Sequence, residues 1–387
     1  MPPDPSPLLD ALLDEIRTQG PISFSRFQGM ALYHPTWGYY TRGRAPGREG
    51  ADFWTAPEID PAFGELVGRQ VSEMAGKLPG THHFGVVEYG AGSGRLAAAL
   101  LDSWRREDSP LYRRGAYRIV EISPALVQLQ REVLQEHREV VSWESAEAEP
   151  AAVSPGVILM NEVLDALPVE RVVGSPDGLR EIRVSQEGGR LVEFQVPAAP
   201  GLVQEVNRRL PAGVARVPDG HELEVRRGLP AFLAGAAGKI AAGYILSIDY
   251  GYTAAERLHP SRSGGTVMGY AGHRASEAIL ADPGQMDLTA HVDLDALHAA
   301  AAEAGFEAST WTTQMKFLLA LGLGDMMESL EAQDLRESER VSRRLALASL
   351  VRPGGMGEMF KVFIAGRQAP MDLAGLQTPW ELRREGA

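Results

Sequence analysis

The chain has 387 residues, of which 44% are apolar and 23% charged, proportions typical of a globular protein with one large domain or two. With no cysteine, it contains no disulfide, thiolate zinc site, iron–sulfur ligand or cysteine nucleophile. Its net charge of −13 disfavours binding to the phosphate backbone of nucleic acids and favours a basic partner.

The N-terminal sequence MPPDPSPLLDALLDEI lacks the basic start and apolar centre of a secretory signal, and its acidic residues differ from an Arg-rich transit peptide. No apolar run approaches the roughly 20 residues that a membrane span requires. We therefore expect a cytoplasmic protein of bacterial type without a membrane span. Residues 1–80, a helix followed by an aromatic-rich stretch, are predicted to cover the functional site.

From residue 84 the sequence alternates apolar runs with helical patterns: FGVVEYG, a helix at about 93–106, YRIVEIS, a helix at about 124–137, EVVSW and GVILMNEV. This rhythm predicts an α/β fold with a parallel sheet, because the runs are short and do not alternate, as in strands covered by helices on both faces. Residues 81–168 are predicted to form the first half of this core.

The rhythm breaks after Pro168. LREIRVSQEGGRLVEFQV alternates with period two around two glycines, so residues 169–238 are predicted to be an α+β insertion with a β-hairpin. Residues 239–367 are predicted to form the second half of the core, with helices over 317–350 and EMFKVFIAGR as a last strand. Residues 368–387 are predicted to be a poorly ordered tail.

A strand, a glycine turn and a helix follow one another in VVEYGAGSGRLAAALL. Such a turn brings backbone N–H groups and the positive end of a helix to one point, where a polar or anionic ligand group can bind. Gly90, Gly92 and Gly94 have the spacing G-x-G-x-G rather than the G-x-G-x-x-G of dinucleotide-binding proteins. The alternative is a tight turn without a ligand.

Two carboxylates flank this turn in the sequence. Glu121 ends the next predicted strand, where it can accept hydrogen bonds from ribose hydroxyls, and Glu88 precedes the glycines. Together they fit a ligand with an amino group and a ribose but no pyrophosphate, such as S-adenosyl-L-methionine. Further predicted cofactor contacts at strand ends are Ile122, Trp143 and Glu144. Alternatively, Glu121 is only a solvated strand end and the tryptophan a core residue.

These features resemble the cofactor motifs of class I S-adenosylmethionine-dependent methyltransferases. Further blocks make residues 21–366 similar to the MidA family: DF-x-TAPE at residues 52–58, NEVLDALPV, IDYGY, GYAGHR, DPGQMDLTAHVD and MGEMFKV. That family includes a mitochondrial arginine methyltransferase that assists assembly of respiratory complex I. The resemblance implies a Rossmann-like sheet of seven strands with a terminal antiparallel strand. It also implies methyl transfer to an arginine of a protein acceptor, with a respiratory-complex subunit as one candidate.

Two other functions stay open at this point: a non-catalytic assembly factor that binds the cofactor, and a nicotinamide-dependent oxidoreductase, for which Arg95 stands where a glycine is expected. A homodimer is one option for the assembly state.

Methyl transfer requires alignment of the acceptor with the methyl group and exclusion of water, but no nucleophilic side chain. Carboxylates are suited to orient a guanidinium acceptor. Glu162 and Asp165 follow the fourth predicted strand, at the edge where open α/β sheets bind ligands, and share a face if the turn is helical. We predict that they clamp the acceptor and that Asn161 positions it. Alternatively, Asp165 caps a helix and Glu162 is solvated.

Glu58 is predicted to reach the cofactor or the acceptor, or else to be a first-turn acid favoured by the helix dipole. Asp249 either lines an acceptor channel or turns the chain. The loop clusters around His273 and Asp287 lack metal-ligand spacing, so no metal is predicted. An aromatic cluster is predicted either to roof the site or to pack in the core. Its members are Tyr33, Trp37, Tyr39 and Tyr40.

Overall fold

The computed structural model describes residues 7–43, 55–79, 84–114, 116–145, 155–272 and 274–378. Some predictions fall outside these ranges: residues 52 and 53 of the DF-x-TAPE block, His273, the boundary between residues 80 and 81, and residues 379–387 of the tail. Within the described ranges, no helix is both long enough and apolar enough to cross a membrane.

The helices are α1 Pro7–Gln19, α2 Phe24–Tyr33, α3 Ala56–Ile59, α4 Ala62–Lys77, α5 Arg95–Arg106, α6 Pro110–Arg114, α7 Pro124–Val133, α8 Pro200–Arg208, α9 Leu229–Ala237, α10 Ala254–Arg257, α11 Leu294–Glu303, α12 Gln314–Ala320, α13 Leu323–Ser329, α14 Glu337–Leu350 and α15 Met356–Met359. The strands are β1 Ile22–Ser23, β2 Gly85–Tyr89, β3 Ala116–Val120, β4 Val141–Glu144, β5 Gly156–Asn161, β6 Glu170–Ser175, β7 Gly178–Glu187, β8 Arg190–Pro197, β9 Glu222–Val225, β10 Gly243–Tyr252, β11 Met268–Ala271, β12 Arg274–Ser276, β13 Asp287–Thr289, β14 Val292–Asp293, β15 Ala308–Thr313 and β16 Phe360–Arg367.

The main sheet is mixed and has the strand order β15-β16-β10-β5-β2-β3-β4, with the short β14 paired to the end of β10. Pairing is parallel from β4 through β10, whereas β16 is antiparallel to both of its neighbours. The predicted α/β class is therefore confirmed. The chain runs from β2 outwards to β4 and then returns to β5 on the other side of β2, so a topological switch point lies between β2 and β5.

Helices cover both faces of this sheet, which explains why its central strands are apolar without alternation. Consecutive residues point to opposite faces: Val86 and Leu159 pack with α4 and α5, whereas Val87 and Ile158 pack with α9 and α11. All four side chains are essentially inaccessible to solvent. The core therefore consists of two apolar layers with the sheet between them.

A second, antiparallel sheet is formed mainly by residues 169–238 (strands β6 to β9) and contains the hairpin predicted around two glycines. The turn of β7 and β8 is formed by Gly188 and Gly189, both with positive φ. Strand β1, from the N-terminal region, pairs with β7, so the N-terminal residues and this sheet share one apolar cluster. A third sheet, β12-β11-β13, was not predicted, because its strands have only three or four residues.

The chain after Arg367 differs from the predicted tail over its described part. Leu373 is fully buried in the core layer that includes α4 and α12. Backbone N–H groups of Ala374 and Gly375 donate to side chains of α4 at 2.9 and 2.8 Å. The prediction of a poorly ordered tail was wrong for residues 368–378, because the segment carries apolar side chains that pack on the core: Leu373 is fully buried, and Met371 and Leu376 are partly buried against the same layer.

Candidate cofactor and acceptor site

A cavity of about 660 Å³ opens at the carboxyl ends of β2, β3 and β5. Its volume is in the range of small-molecule sites, and its place beside the switch point is where open α/β sheets bind ligands. The predicted site residues in its wall are Glu58, Glu88, Gly90, Gly92, Glu121, Ile122, Asn161 and Glu162. Four other predicted residues do not reach the wall: Gly94, Trp143, Glu144 and Asp165.

The glycine loop leaves β2 and enters α5 in a conformation that favours glycine. Gly90, Gly92 and Gly94 have φ values of +60°, +54° and +87°. A Cβ atom at Gly90 would also meet Val163 Cγ2 at 3.2 Å. Gly94 lies at the N-cap of α5, whose positive end is therefore close to the cavity.

Glu88 lies in the wall of the cavity at the end of β2 and is 2% exposed. Its Oε2 accepts a hydrogen bond from the Tyr117 hydroxyl at 2.8 Å. Burial raises the pKa of Glu88 to about 7, with a smaller contribution from the charge of Glu121. Its second oxygen is suited to accept a hydrogen bond from a cationic amino group of a ligand, which would lower that pKa again.

Glu121 is held in place by three donors at the end of β3. Its Oε1 accepts the N–H groups of Ile122 and Ser123, both at 2.9 Å, and its Oε2 accepts from Gln130 Nε2 at 2.9 Å. A carboxylate has about four acceptor positions, so capacity remains for a ribose hydroxyl. Burial raises the pKa of Glu121, while these donors act in the opposite direction.

Gln130 on α7 links the parts of the predicted cofactor site, although no motif in the sequence marks it. Its amide nitrogen also donates to the carbonyl of Gly92 at 3.0 Å. Its amide oxygen accepts from Trp143 Nε1 at 3.0 Å. Trp143 therefore orients Gln130 and does not itself reach the cavity, contrary to its predicted contact with an adenine ring.

Glu144 is also directed away from the cavity. Its carboxylate lies 3.2 Å from the buried Lys239 Nζ. The backbone of Glu144 does contribute to the site: its carbonyl accepts a hydrogen bond from the N–H of Glu121 at 3.3 Å. The sequence placed both residues at the correct strand end, but the direction of a side chain at that end depends on its tertiary partners.

Glu58 connects α3 to the glycine loop and to the start of α5. Its Oε1 accepts a hydrogen bond from Ser93 Oγ, and its Oε2 lies 2.8 Å from Arg95 Nε. The carboxylate is 3% exposed, and burial raises its pKa while Ser93 and Arg95 lower it. Glu58 is thus both a first-turn acid of α3 and part of the cavity wall.

Asn161 and Glu162 lie at the far end of the cavity from Glu121. Asn161 Nδ2 donates to Glu162 Oε1 at 3.1 Å, and Asn161 Oδ1 is buried without a hydrogen-bond partner in the part of the chain described here. A ligand N–H group would satisfy this oxygen. Burial, followed by the charges of Asp165 and Asp249, raises the pKa of Glu162 well above its usual range.

Asp165 does not form the predicted clamp with Glu162, because the turn after β5 is not helical. Glu162 has a left-handed φ of +54°, and Asp165 is buried outside the cavity wall. Burial raises the pKa of Asp165 to about 6, whereas Arg226 lowers it. Asp249 does not line the cavity either, since its carboxylate accepts backbone N–H groups of this turn.

The aromatic cluster divides into two pairs. Tyr33 and Tyr40 line the cavity and stack with their ring centres 5.7 Å apart. The Tyr33 hydroxyl donates to the carbonyl of Ala166 at 2.9 Å, which ties the N-terminal region to the turn after β5. Trp37 and Tyr39 do not line the cavity, although all four rings pack in one apolar cluster with α1 and α2.

The loop clusters make structural hydrogen bonds. Asp287 accepts from the Tyr40 hydroxyl at 2.8 Å, and Asp293 caps α11 through the N–H of Ala296 at 3.0 Å. Among the residues that the structure describes, no group of three or more His, Asp or Glu side chains is placed to hold a metal ion.

The geometry fits S-adenosyl-L-methionine. One buried carboxylate lies at the end of β2 and another at the end of β3, on either side of a glycine loop that admits a ligand close to the backbone. The loop and helix end favour a polar ligand group, and the carboxylates favour hydroxyl and amino groups over phosphate.

Comparison with known proteins agrees with this geometry. Residues 66–312 match the model of a family described as S-adenosyl-L-methionine-dependent methyltransferases. The chain is 29% identical to the mitochondrial protein arginine methyltransferase NDUFAF7 of Danio rerio, over 92% of this chain and 86% of that protein. It is 28% identical to the Homo sapiens protein of the same name, over 92% and 83%.

A solved structure from Burkholderia thailandensis, determined with bound S-adenosyl-homocysteine, is similar throughout. It has 32% sequence identity and a TM-score of 0.84, with 95% of this chain and 94% of that chain covered. S-adenosyl-L-methionine is accordingly the cofactor of this chain. The chain belongs to the MidA-type family of S-adenosyl-L-methionine-dependent methyltransferases.

Proposed function

We propose that this methyltransferase acts on an arginine side chain of a protein acceptor. The observation that carries the proposal is the pair formed by Glu162 and Asn161, because a buried carboxyl and an unsatisfied amide oxygen lie side by side in the wall of the cavity. Both groups accept hydrogen bonds, and a guanidinium offers several N–H donors in one plane. The names of the NDUFAF7 relatives support the same acceptor.

When bound, S-adenosyl-L-methionine supplies a methyl group on a positively charged sulfur. The residues of the chain hold both partners: Glu121 accepts from the ribose and Glu88 from the amino group. Tyr33 and Tyr40 cover the cavity and exclude water, which strengthens the electrostatic interactions inside it. The chain thus contributes alignment rather than a nucleophile.

Glu162 orients the acceptor and receives the proton that its nitrogen releases. Burial and neighbouring carboxylates raise its pKa, so the empty site favours the protonated acid. An incoming guanidinium favours the carboxylate and lowers this pKa. Acceptor binding therefore strengthens as the pH rises through the raised pKa of Glu162, since only the ionised form attracts the cation.

The test is transfer of tritiated methyl groups from S-adenosyl-L-methionine to synthetic peptides with a central arginine in a basic sequence, with lysine versions as the comparison. We expect methylarginine after hydrolysis, higher rates as the pH rises, and a loss of about 10²-fold or more in Glu162→Gln. Glu187→Gln, at the exposed end of β7, is the control. Label on lysine peptides alone would contradict the proposal.

For the natural acceptor we propose a basic surface on a subunit of a respiratory complex. The net charge of −13 favours approach of such a surface. Incubation of the enzyme and labelled cofactor with purified respiratory complexes tests this assignment, and label confined to unrelated basic proteins would reject it.

A further inference from the structure

The turn that carries Glu162 adopts a backbone conformation that needs support. Glu162 has a φ of +54°, a left-handed region that residues with a Cβ atom rarely occupy, and such residues persist only where their surroundings hold them. Its N–H donates to the carbonyl of Ile248 at 2.9 Å, which fixes only the start of the turn. The remaining residues up to Leu167 belong to no helix or strand.

Asp249, three residues before the end of β10, accepts hydrogen bonds from the N–H groups of this turn. Its Oδ2 accepts from the backbone nitrogens of Val163, Leu164 and Asp165 at 3.2, 2.9 and 3.2 Å. Its Oδ1 accepts from the N–H of Tyr250 at 2.8 Å, so the carboxylate is itself fixed. It is 4% exposed and lies outside the cavity wall, so it acts on the turn rather than on a ligand.

Arg226, which follows β9, binds the carbonyl groups of the same turn. Its Nη2 donates to the carbonyl of Asp165 at 3.2 Å and its Nε to that of Leu167 at 3.1 Å. A further bond from Nη2 to Ala290 at 2.8 Å connects the turn to the loop before β14. The guanidinium is 3% exposed and supplies positive charge beside the carboxylates of Asp165 and Asp249.

We propose that Asp249 and Arg226 are positioning residues for methyl transfer: they hold the turn from opposite sides and so keep the Glu162 carboxyl aimed at the acceptor nitrogen. The proposal rests on the acceptor role proposed for Glu162. Asp249 accepts hydrogen bonds from N–H groups of the turn, whereas Arg226 donates hydrogen bonds to carbonyl groups of the same turn. A substitution at either one therefore frees the turn without removing any group that lines the cavity.

Sinefungin tests this without an identified acceptor. It resembles S-adenosyl-homocysteine but carries an amino group where the cofactor carries its reactive methyl, so it places a cation at the acceptor end of the cavity. We expect the wild type to bind sinefungin at least about tenfold more tightly than S-adenosyl-homocysteine, because a charge-assisted hydrogen bond to Glu162 is added. Glu162→Gln should lose this preference.

Asp249→Asn and Arg226→Lys should lose most of the preference as well, while their affinity for S-adenosyl-homocysteine stays within about twofold of the wild type, because Glu88 and Glu121 are untouched. The matched controls are Asp293→Asn, which alters another buried carboxylate that caps backbone N–H groups, and Arg171→Lys, which alters another buried guanidinium. Both controls should keep the preference for sinefungin.

Hydrogen exchange in the wild type gives a second measurement, which depends neither on a ligand nor on the folding of a variant. In the wild type, the amides of Val163, Leu164 and Asp165 should exchange at least about 10²-fold more slowly than amides of open loops, because each donates to Asp249. Asp249→Asn should abolish this protection. Rapid exchange in the wild type, or variants that keep the preference for sinefungin, would overturn the positioning role.

The result separates the two proposals. A wild type that binds S-adenosyl-homocysteine but shows no preference for sinefungin would reject the acceptor role of Glu162, and with it the positioning role. A preference that is lost in Glu162→Gln but kept in both Asp249→Asn and Arg226→Lys would reject the positioning role alone.

Discussion

Individual residues of the cofactor site owe their function to backbone torsion and burial as much as to chemical type. The glycine loop has three positive φ values in five residues, and Glu88 and Glu121 are almost inaccessible to solvent. Backbone torsion and burial can be tested separately, because the chain has a glycine with a similar φ and an exposed glutamate far from the cavity, and these serve as control positions.

Gly92→Ala should weaken cofactor binding, whereas Gly188→Ala should not. Both glycines have nearly the same φ, +54° and +56°, so each substitution should cost roughly 1–2 kcal/mol of stability from the left-handed conformation. Only Gly92 lines the cavity, and its loop must hold its shape for the ligand. Calorimetric titration with S-adenosyl-homocysteine measures the difference, and equal affinities in the two variants would contradict the assigned role of the loop.

Glu88→Gln should stabilise the ligand-free protein at pH 8. The carboxyl has a pKa of about 7 when folded and about 4.3 when unfolded, so between these values the folded chain retains a proton that the unfolded chain has released. The free energy of unfolding therefore falls as the pH rises through this window. The Glu88→Gln substitution removes this loss of stability, which amounts to about 1–3 kcal/mol.

Urea unfolding at pH 4 and pH 8 measures this effect, with Glu187→Gln as the exposed control. At pH 4 the Glu88 variant and the wild type should be nearly equally stable, since the carboxyl is protonated in the folded state and largely protonated in the unfolded state. The same variant should bind S-adenosyl-homocysteine more weakly at pH 8. A stability difference that is the same at both pH values would show that burial of the charge is not its cause.

At the scale of elements, α3 covers the cavity although it has only four residues, too few to be stable alone. Its attachment to α5 through Glu58 and to α14 through Asp60, which lies 3.3 Å from Arg343 Nε, provides the stability. The sequence predicted either that Glu58 reaches the cofactor or the acceptor, or that it is a first-turn acid of a helix. It did not predict that Ser93 and Arg95, in the glycine loop and at the start of α5, would engage both oxygens of that acid.

Arg95→Ala should destabilise the protein more than Arg106→Ala does. Both arginines belong to α5, both are about 60% exposed, and each lies 2.8–2.9 Å from one glutamate. Loss of Arg95 leaves the Glu58 carboxylate, which is 3% exposed, without its cation, at a cost of about 1–3 kcal/mol. Arg106 pairs with the more exposed Glu65, so its loss should cost about 0–1 kcal/mol.

Unfolding in urea measures the two stabilities, and stopped-flow binding measures a second consequence. Release of α3 from the glycine loop should accelerate dissociation of S-adenosyl-homocysteine from Arg95→Ala but not from Arg106→Ala. If both variants release the ligand at the wild-type rate, α3 does not restrain it.

For the whole molecule, closure of the core depends on the chain after the last strand. Leu373 packs in the same apolar layer as α4, and the Tyr244 hydroxyl donates to the carbonyl of Pro370 at 2.7 Å. The last described residues thus connect the middle of the main sheet with a helix from the first fifth of the chain. The sequence-based prediction missed this because the segment has no helix or strand periodicity, although it contains Met371, Leu373 and Leu376.

Leu373→Ala should lower the free energy of unfolding by about 2–5 kcal/mol, the usual cost of a cavity at a fully buried leucine. Leu345→Ala, at a position 67% exposed on α14, should change it by no more than about 0.5 kcal/mol. Thermal or urea unfolding measures the two changes in the free energy of unfolding. If the two variants lose similar amounts of stability, residues 368–378 contribute little to the core.

The sequence by itself determined the class of fold, the glycine loop and the carboxylates at two strand ends. These features depend on local causes: apolar periodicity, positive φ at glycine, and the return of parallel strands to one edge of a sheet. The family and its cofactor could also be predicted from the sequence, because the motifs that identify them are contiguous stretches of the chain.

Only the tertiary structure decided what each side chain at that edge contacts. Trp143 contacts Gln130 and Glu144 contacts Lys239, although both residues end a strand that the sequence placed correctly. Asp249 and Arg226 bind the same turn although 22 residues, including helix α9, separate them in the chain. These contacts are determined by burial and by hydrogen bonds between segments that are far apart in the chain, and neither leaves a pattern in the local sequence.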